Sequence, residues 1–501
     1  MTSCLYIPLI WVVIILVSRI NGEFTIHEAS IEEIQRAFAE NRLTSRQLVD
    51  FYLEQIETLN PILRSVVEVN PEAQDQADDA DLRRRSNRHR SLLRDLEGIP
   101  VLLKDTIATK DKLNTTAGSY ALLGAVVPRD AGVVEKLRKA GAIILGKASL
   151  TECQNPYVAS GDPCGSSSGS AISVAANMVT VSLGSETHGS ILCPSDHNSV
   201  VGLKPTVGLT SRAGVVPMLP RHDTIGPISR TVSDAVYVLE AIVGLDQHDY
   251  EATKEAAKFI PSGGYKQFLK LDGLKGKRLG VIRNPFVDSL DKSVYQAFES
   301  HLNTLRQKGA IIVDNLVIEN VYEILNPKRS GELTAMLAEF KLSTNDYLKE
   351  LVASPVRSLA DVIDFIENNP DLEKTKEYGQ ATFIESEKTT GFGEKEKKAV
   401  ELMKNLSRDG FEKVMKENDL DALLTPGTGA IGVLAIGGYP GITVPAGYDD
   451  RGMPFGFCFG GLKFTEPKLI EAAYAFEQAT KSRRPPFSKS FELDNEALFA
   501  S

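Results

Sequence analysis

Two groups of serines stand close together in the chain, Ser166 to Ser168 in "CGSSSGS" and Ser182, Ser185 and Ser190 in "VSLGSETHGSI", with the apolar run "AISVAANMV" between them. A serine hydroxyl attacks a carbonyl only when a neighbouring base takes its proton, so the pattern asks which serine is activated and by what. "GSSSG" has the form G-x-S-x-G with Ser167 at its centre, and a nucleophile elbow of that form follows a buried strand. Here it follows "NPYVASGDPC", where Pro156, Gly161 and Pro163 leave no room for one. His222 and Asp223 offer partners for a histidine triad, as any chain of this length would, but without the elbow the arrangement is weak.

The plainest account of the first group is a Ser/Gly loop that caps the helix "GSAISVAANMV". The second is different. "VTVSLGSETHGSI" reads as a buried strand that breaks at Gly184 and ends in a turn, where Gly189 permits unusual backbone angles. The consecutive amides of Thr187, His188, Gly189 and Ser190 can then converge on one point, as an oxyanion hole requires. A serine beside them still needs a base, and a desolvated lysine can serve, because burial disfavours the ammonium form. Lys104 lies in the apolar stretch "IPVLLKDTI". The alternative is that it pairs with Asp105 or points to solvent.

These groups need elements to hold them. "IEEIQRAFAENRL" and "TSRQLVDFYLEQIETL" are amphipathic helices, the second opened by a Thr44–Gln47 capping box. "GIPVLLKDTIAT", the helix "AGVVEKLRKAG" closed at Gly141, and "AIILGKAS" alternate strand, helix and strand. The same order recurs from "KRLGVIRN" through Leu290 to Ile318, which predicts an α/β protein with a substantially parallel sheet. Leu333 to Asn418 is mainly helical and charged. "LDALLTPG" and "GITVPAGYDDRGMPFGFCFGG" read as strands, the last two joined at the turn Asp449 to Gly452, before the closing helix "EPKLIEAAYAFEQAT".

With 501 residues and 42% hydrophobic content, the chain can bury a large core, and no linker divides it. Its formal net charge of −10 excludes an electrostatic nucleic-acid binder, and the basic cluster Arg83 to Arg90 reads as a solvated helix end or loop. "LYIPLIWVVIILV", Leu5 to Val17, is shorter than the roughly 20 residues of a membrane-spanning helix and resembles the core of a secretory signal peptide. Residues 1–22 are assigned to it, with Gly22 the last removed, and 23–501 to a single domain. "MTSC" carries no Lys or Arg, so an uncleaved anchor is the alternative; with the leader cleaved, no stable membrane anchor is expected. Cys4 leaves with the leader, and Cys153, Cys164, Cys193 and Cys458 contain no C-x-x-C pair, so neither a metal site nor a disulfide framework is expected. "NTT" at Asn114 and "NLS" at Asn405 are glycosylation sequons that suit a secreted, apoplastic or vacuolar protein.

Taken in order, "GIPVLLKDTI", "CGSSSGSAISVAAN", "SLGSETHGSILCPS" and "VVGLKPTVGLTSRAGVVP" resemble the amidase signature family, in particular its plant and fungal branch, which commonly has "GTETDGSI" for "GSETHGSI". The likeness continues through "DTIGPISRTVSDAVYVLEAI", "LDALLTPG" and "GGYPGITVPAG". It implies a large twisted mixed β-sheet covered by helices on both faces, and a hydrolase of carboxylic amides without cofactor or metal. By the same resemblance Ser190 is the nucleophile, Ser166 the bridging serine with a cis peptide to the next residue, and Lys104 the general base. The amides of Thr187, His188, Gly189 and Ser190 form the oxyanion hole. The implied partner is a small-molecule amide; nucleic acid is not one, and a homodimer is left open.

Three positions depart from the family pattern. His188 replaces a small or acidic residue and is expected to reshape the pocket wall. Leu192 stands where many relatives have an arginine near Glu186. The segment Thr151 to Cys164 is short, with a wider entrance, a narrower substrate range or an impaired enzyme as the alternatives. Two other functions stand beside the hydrolase: a catalytically impaired binding protein of the same fold, and the glutaminase component of a tRNA amidotransferase, against which the apolar leader argues.

Overall fold

Eleven strands form one sheet among the described residues. Their order across it is β1 (Val66–Val69), β3 (Ile143–Ala148), β2 (Pro100–Lys104), β4 (Val181–Glu186), β6 (Thr224–Ser229), β5 (Val201–Lys204), β10 (Gly441–Tyr448), β11 (Pro454–Gly460), β9 (Ala422–Pro426), β7 (Arg278–Val281) and β8 (Ile311–Val313). The computed structural model describes residues 24–86, 95–288 and 290–486, so the leader, Gly22 and the end of the basic cluster lie outside the described residues.

The sheet is mixed. β2 runs parallel to β3 and β4, and β7 parallel to β8 and β9, whereas the edge strand β1 and the strands between these wings pair antiparallel. The expectation of a substantially parallel sheet holds only at the wings, where the crossover helices Gly132–Lys139, Ser168–Ala175 and Lys292–Gln307 supply the long connection that parallel pairing needs. β10 and β11 are joined instead by the tight turn read from Asp449 to Gly452, which forces them antiparallel. Every residue of β2, β3, β9 and β11 is buried, so both faces of the sheet are covered there.

The two predicted amino-terminal helices are present as Ile31–Ala39 and Ser45–Leu63, and the Thr44–Gln47 capping box closes as read. β4 does not break at Gly184: it continues to Glu186, with Gly184 paired to Gly226. Glycine is needed there because a Cβ would stand 2.8 Å from Ser167 Oγ and 3.0 Å from Ile191 Cγ1, a close approach between the strand and the two serine loops. The charged region after Leu333 forms the helices Glu332–Glu350, Leu359–Asn368, Ala381–Glu387 and Glu394–Ser407, and Phe340, Leu359 and Ile363 pack with Phe383 and Ile384 in a cluster of their own.

The described part of the basic cluster ends the helix Ala73–Ser86, where Arg83 pairs with Glu97 and Arg84 with Asp81. Neither sequon is an open loop in the folded chain. Asn114 donates from Nδ2 to Glu68 and accepts the Gly124 amide, and Asn405 lies within a helix whose Ser407 is buried.

Candidate active site

The carboxyl ends of the parallel strands β2 and β4 lie side by side, and the chemistry collects there, as ligand sites do in open α/β sheets. β2 ends at Lys104, which is 2% exposed. Its Nζ stands 2.8 Å from Ser166 Oγ and donates to the Ser185 carbonyl at 3.0 Å. Burial dominates its titration and pulls the ammonium down to about 7, although the charges of Glu186 and Asp223 oppose the shift. Lys104 does not pair with Asp105, whose carboxylate accepts from Thr116 and lies 4.0 Å from the ammonium of the buried Lys147.

Ser166 Oγ is in turn 3.2 Å from Ser190 Oγ. Lysine and the two serines therefore form one hydrogen-bonded line. The cis bond falls between Gly165 and Ser166, on the amino-terminal side of Ser166 and not between it and the next residue. Ser167, the centre of "GSSSG", is fully buried; its amide donates to the Ser190 carbonyl at 3.1 Å and its hydroxyl to that of Ser185. That burial removes it as a nucleophile and makes it the pin between the two serine loops.

After β4 the chain turns tightly. Glu186 Oε2 accepts the amides of Ile191 at 2.7 Å and Leu192 at 2.9 Å, which draws the intervening residues into a loop. Leu192 puts its side chain into an apolar cluster with Leu434 and Cys458. Where an arginine would form an ion pair, this chain uses its own backbone donors. Gly189 has φ +86°, and a Cβ on it would stand 2.9 Å from Ile431 Cγ2, so both conformation and space demand glycine. Thr187 donates from Oγ1 to Asp223 at 2.5 Å, and Asp223 accepts the amides of Met218 and Leu219, an anchoring role the sequence did not disclose.

His188 departs from the family pattern with a definite consequence. Its Nδ1 is 2.9 Å from Glu332 Oε1, and His222 Nδ1 lies 3.6 Å from the same oxygen. Burial would raise the Glu332 carboxyl, but the hydrogen bond from His188 and the charge of His188 and the nearby His222 outweigh it and hold the group at about 2. Burial likewise pushes His188 down, and Glu332 more than reverses it; His222, more deeply buried, is lowered by desolvation. The sequence suggested His222 for a serine triad, yet its nearest acid partner is Glu332 on a roof helix, and it takes no part in the Lys104–Ser166–Ser190 line.

The line opens into a cavity of about 600 Å³. Its floor is Lys104, Ser166, Thr187, His188 and Ser190; its wall includes Leu150, Val215, Met218 and Ile225. Helices of the charged region supply the roof through Leu333, Met336, Phe340, Leu359, Val362 and Phe383. The short segment after Leu150 is tied at Glu152 to Lys374 and Tyr378 of that region and at Tyr157 to the Arg484 carbonyl.

The expectation of no disulfide is corrected: Cys164 and Cys193 are bonded, across a sequence separation of 29. Cysteine spacing carries no signal for this pair, because only the folding of both serine loops onto one strand end brings them together. Cys153 and Cys458 are free. The three groups with metal-ligand spacing among the described residues are the two bridged sulfurs and His197, and sulfur in a disulfide is not a thiolate ligand.

The chain matches the family model described as Amidase over residues 47–432. It is similar to a probable amidase of Arabidopsis thaliana, 59% identical over 487 residues that cover 93% of each chain. It also resembles one component of the glutamyl-tRNA(Gln) amidotransferase of Microcystis aeruginosa, at 30% identity over 92% of this chain and 99% of that one. Among solved structures, the peptide amidase of Stenotrophomonas maltophilia superimposes with a TM-score of 0.86 at 37% identity, covering 93% of this chain and 100% of that one.

Proposed function

We propose, for a chain that belongs to the amidase family and hydrolyses carboxylic amides, that Ser190 is the nucleophile, Ser166 the proton relay and Lys104 the base, and that the substrate carries a bulky apolar acyl or aryl group. The observation that carries this is the continuous line from Lys104 Nζ to Ser166 Oγ at 2.8 Å and on to Ser190 Oγ at 3.2 Å, beneath an apolar roof.

Neutral Lys104 takes the Ser166 proton while Ser166 takes that of Ser190, and Ser190 Oγ bonds to the amide carbon. The carbonyl oxygen becomes an oxyanion opposite the amides of Thr187 to Ser190. The proton returns along the same line to the leaving nitrogen, the C–N bond breaks, and water then releases the acyl group from Ser190. An amine leaves poorly unless it is protonated, so a base that becomes the acid suits this reaction.

Apolar side chains dominate the cavity, and its charged lining residues are Lys104, His188, Asp223 and Glu332. An anionic acyl group would meet two carboxylates. Free glutamine, small and zwitterionic, fits this surface poorly, which disfavours the glutaminase alternative.

Labelling with a fluorophosphonate tests the assignment. Adduct formation at Ser190, absent in Ser190→Ala and much slower in Lys104→Ala, is expected. A folded protein that neither labels nor cleaves apolar amides would instead be the catalytically impaired binding protein.

The proposal includes a place in the secretory pathway, supported by the apolar stretch Leu5 to Val17 and by the Cys164–Cys193 disulfide, which suits an oxidising compartment. Among the described residues no helix is long and apolar enough to cross a membrane. Amino-terminal sequencing of the protein recovered from the medium or vacuole of expressing cells should begin at Glu23; a chain retaining Met1 would overturn cleavage.

A further inference from the structure

We propose that the Cys164–Cys193 disulfide is a positioning element of the amide-cleaving site, holding the bridging serine against the nucleophile, so that its reduction lowers turnover. The inference rests on the roles given above to Ser166 and Ser190.

Cys164 stands two residues before Ser166, and Cys193 three after Ser190. Each cysteine is tied to the machinery on its own side. The Cys164 carbonyl accepts the Ser168 hydroxyl at 2.6 Å at the start of the helix that follows the bridging serine. The Cys193 amide donates to the Gly189 carbonyl at 2.8 Å, inside the oxyanion turn. The disulfide thus closes a ring that contains both serines.

Across that ring the other links are hydrogen bonds: the Ser167 amide to the Ser190 carbonyl at 3.1 Å, the Ser167 hydroxyl to the Ser185 carbonyl at 3.3 Å, the Ser170 hydroxyl to the Leu183 carbonyl at 3.1 Å, and the 3.2 Å contact between the Ser166 and Ser190 hydroxyls. Those bonds are soft, whereas the covalent bridge is not. Ser166 must pass a proton across 3.2 Å, and a small added separation interrupts the relay, since proton transfer needs hydrogen-bond contact. Neither cysteine lines the amide cavity, so the bridge can act on the serines' spacing without touching substrate.

The surroundings permit exchange. Both cysteines are partly exposed. His197 offers a ring nitrogen within 4.8 Å of both sulfurs, and an imidazole beside a departing sulfur can stabilise the thiolate. His197 and Asp162 also border a second cavity of about 630 Å³ that shares no lining residue with the amide cavity; neither cysteine lines it, and a reductant reaches the sulfurs through their own partial exposure. A dithiol supplies the two electrons: its thiolate attacks one sulfur, the S–S bond breaks, and its second thiol resolves the mixed disulfide. The products are two protein thiols and one oxidised dithiol.

The test compares kcat and KM for an apolar amide in the oxidised protein, the same protein treated with dithiothreitol, and the double variant Cys164→Ser/Cys193→Ser, with circular dichroism on each. Reduction is expected to lower kcat by about tenfold or more, because misplacement of about 1 Å can cost about a hundredfold, while KM changes by less than about twofold. Removing the reductant and reoxidising should restore kcat, and the double variant should be slow and indifferent to dithiothreitol. If that variant does not fold, the reduction and reoxidation of the wild-type chain still decide the matter. A reduced, folded protein with unchanged kcat overturns the proposal, as does reduction that unfolds the chain, since the bridge would then brace the fold and not the site. An oxidised protein with neither turnover nor fluorophosphonate labelling would overturn the amide-hydrolase assignment itself.

Discussion

Lys104 is a lysine whose strand favours its neutral form. It ends an otherwise apolar β2, and burial brings its ammonium down to about 7. In the proposed mechanism the neutral form is the base, so kcat/KM should rise with pH through about 7 as one group deprotonates, a profile readable with any neutral amide. Lys104→Ala should lower kcat by about 10² to 10⁴-fold, the usual range for losing a positioned base. The same burial has a stability sign. The unfolded lysine titrates near 10.5, so the cost of burying its charge is full below the folded value of about 7, shrinks between 7 and 10.5, and vanishes above. Lys104→Met should therefore be inactive yet melt at a higher temperature than the wild type, by a margin larger below pH 7 than above 10.5. A lower melting temperature at acid pH would contradict this account of the burial.

At the scale of elements, the turn after β4 is held from three sides: by Glu186 on the following amides, by Asp223 on Thr187, and by Glu332 on His188. Gly189→Ala should disturb the convergence of amides and lower kcat by about 10² to 10³-fold, with KM moving little, as for loss of an oxyanion donor. Glu332 joins this turn to the roof helix Glu332–Glu350. Its pairing with protonated His188 requires a charged carboxylate and a charged imidazole. On the carboxylate side that stability is present above 4.5 and lost as pH falls towards about 2; on the imidazole side it is present below 6.5 and lost as pH rises through the raised folded value. Glu332→Gln should thus destabilise most between pH 4.5 and 6.5, by about 1 kcal/mol, a figure kept small because the His188 side chain is 41% exposed. Thermal melts across that window check it.

At the scale of the molecule, the sheet and its two serine loops position the proposed reacting groups and the helical region after Leu333 supplies the roof, so specificity should follow the apolar surface a substrate can bury. Each added CH₂ buried under Met336, Phe340 and Phe383 should raise kcat/KM by about fourfold, from about 0.8 kcal/mol per group, until the cavity is filled. A series of unbranched acyl amides of increasing length checks this, and a flat series would place the acyl group elsewhere. That Lys104, Ser166 and Ser190 belong together was legible only through the resemblance of several segments to one family: local chemistry showed an apolar strand, a Ser/Gly loop and a turn needing Gly189, and left the partner of Lys104 open. The elements around them were legible from that local chemistry, apart from Gly184, which looks like a strand end until the neighbouring Ser167 and Ile191 are in place. Contacts between distant segments were not. Glu332 reaches His188 across 144 residues, the roof comes from helices whose charge pattern says only that one side is wet, and Cys164 finds Cys193 because both serine loops fold onto one strand end. The sequence by itself determined the elements and the family they belong to, since local backbone preference and burial are written in adjacent residues. The pocket's shape, the partner of His188 and the covalent tie between the two serine loops were decided by the tertiary structure, since each depends on which surfaces meet after the chain has closed.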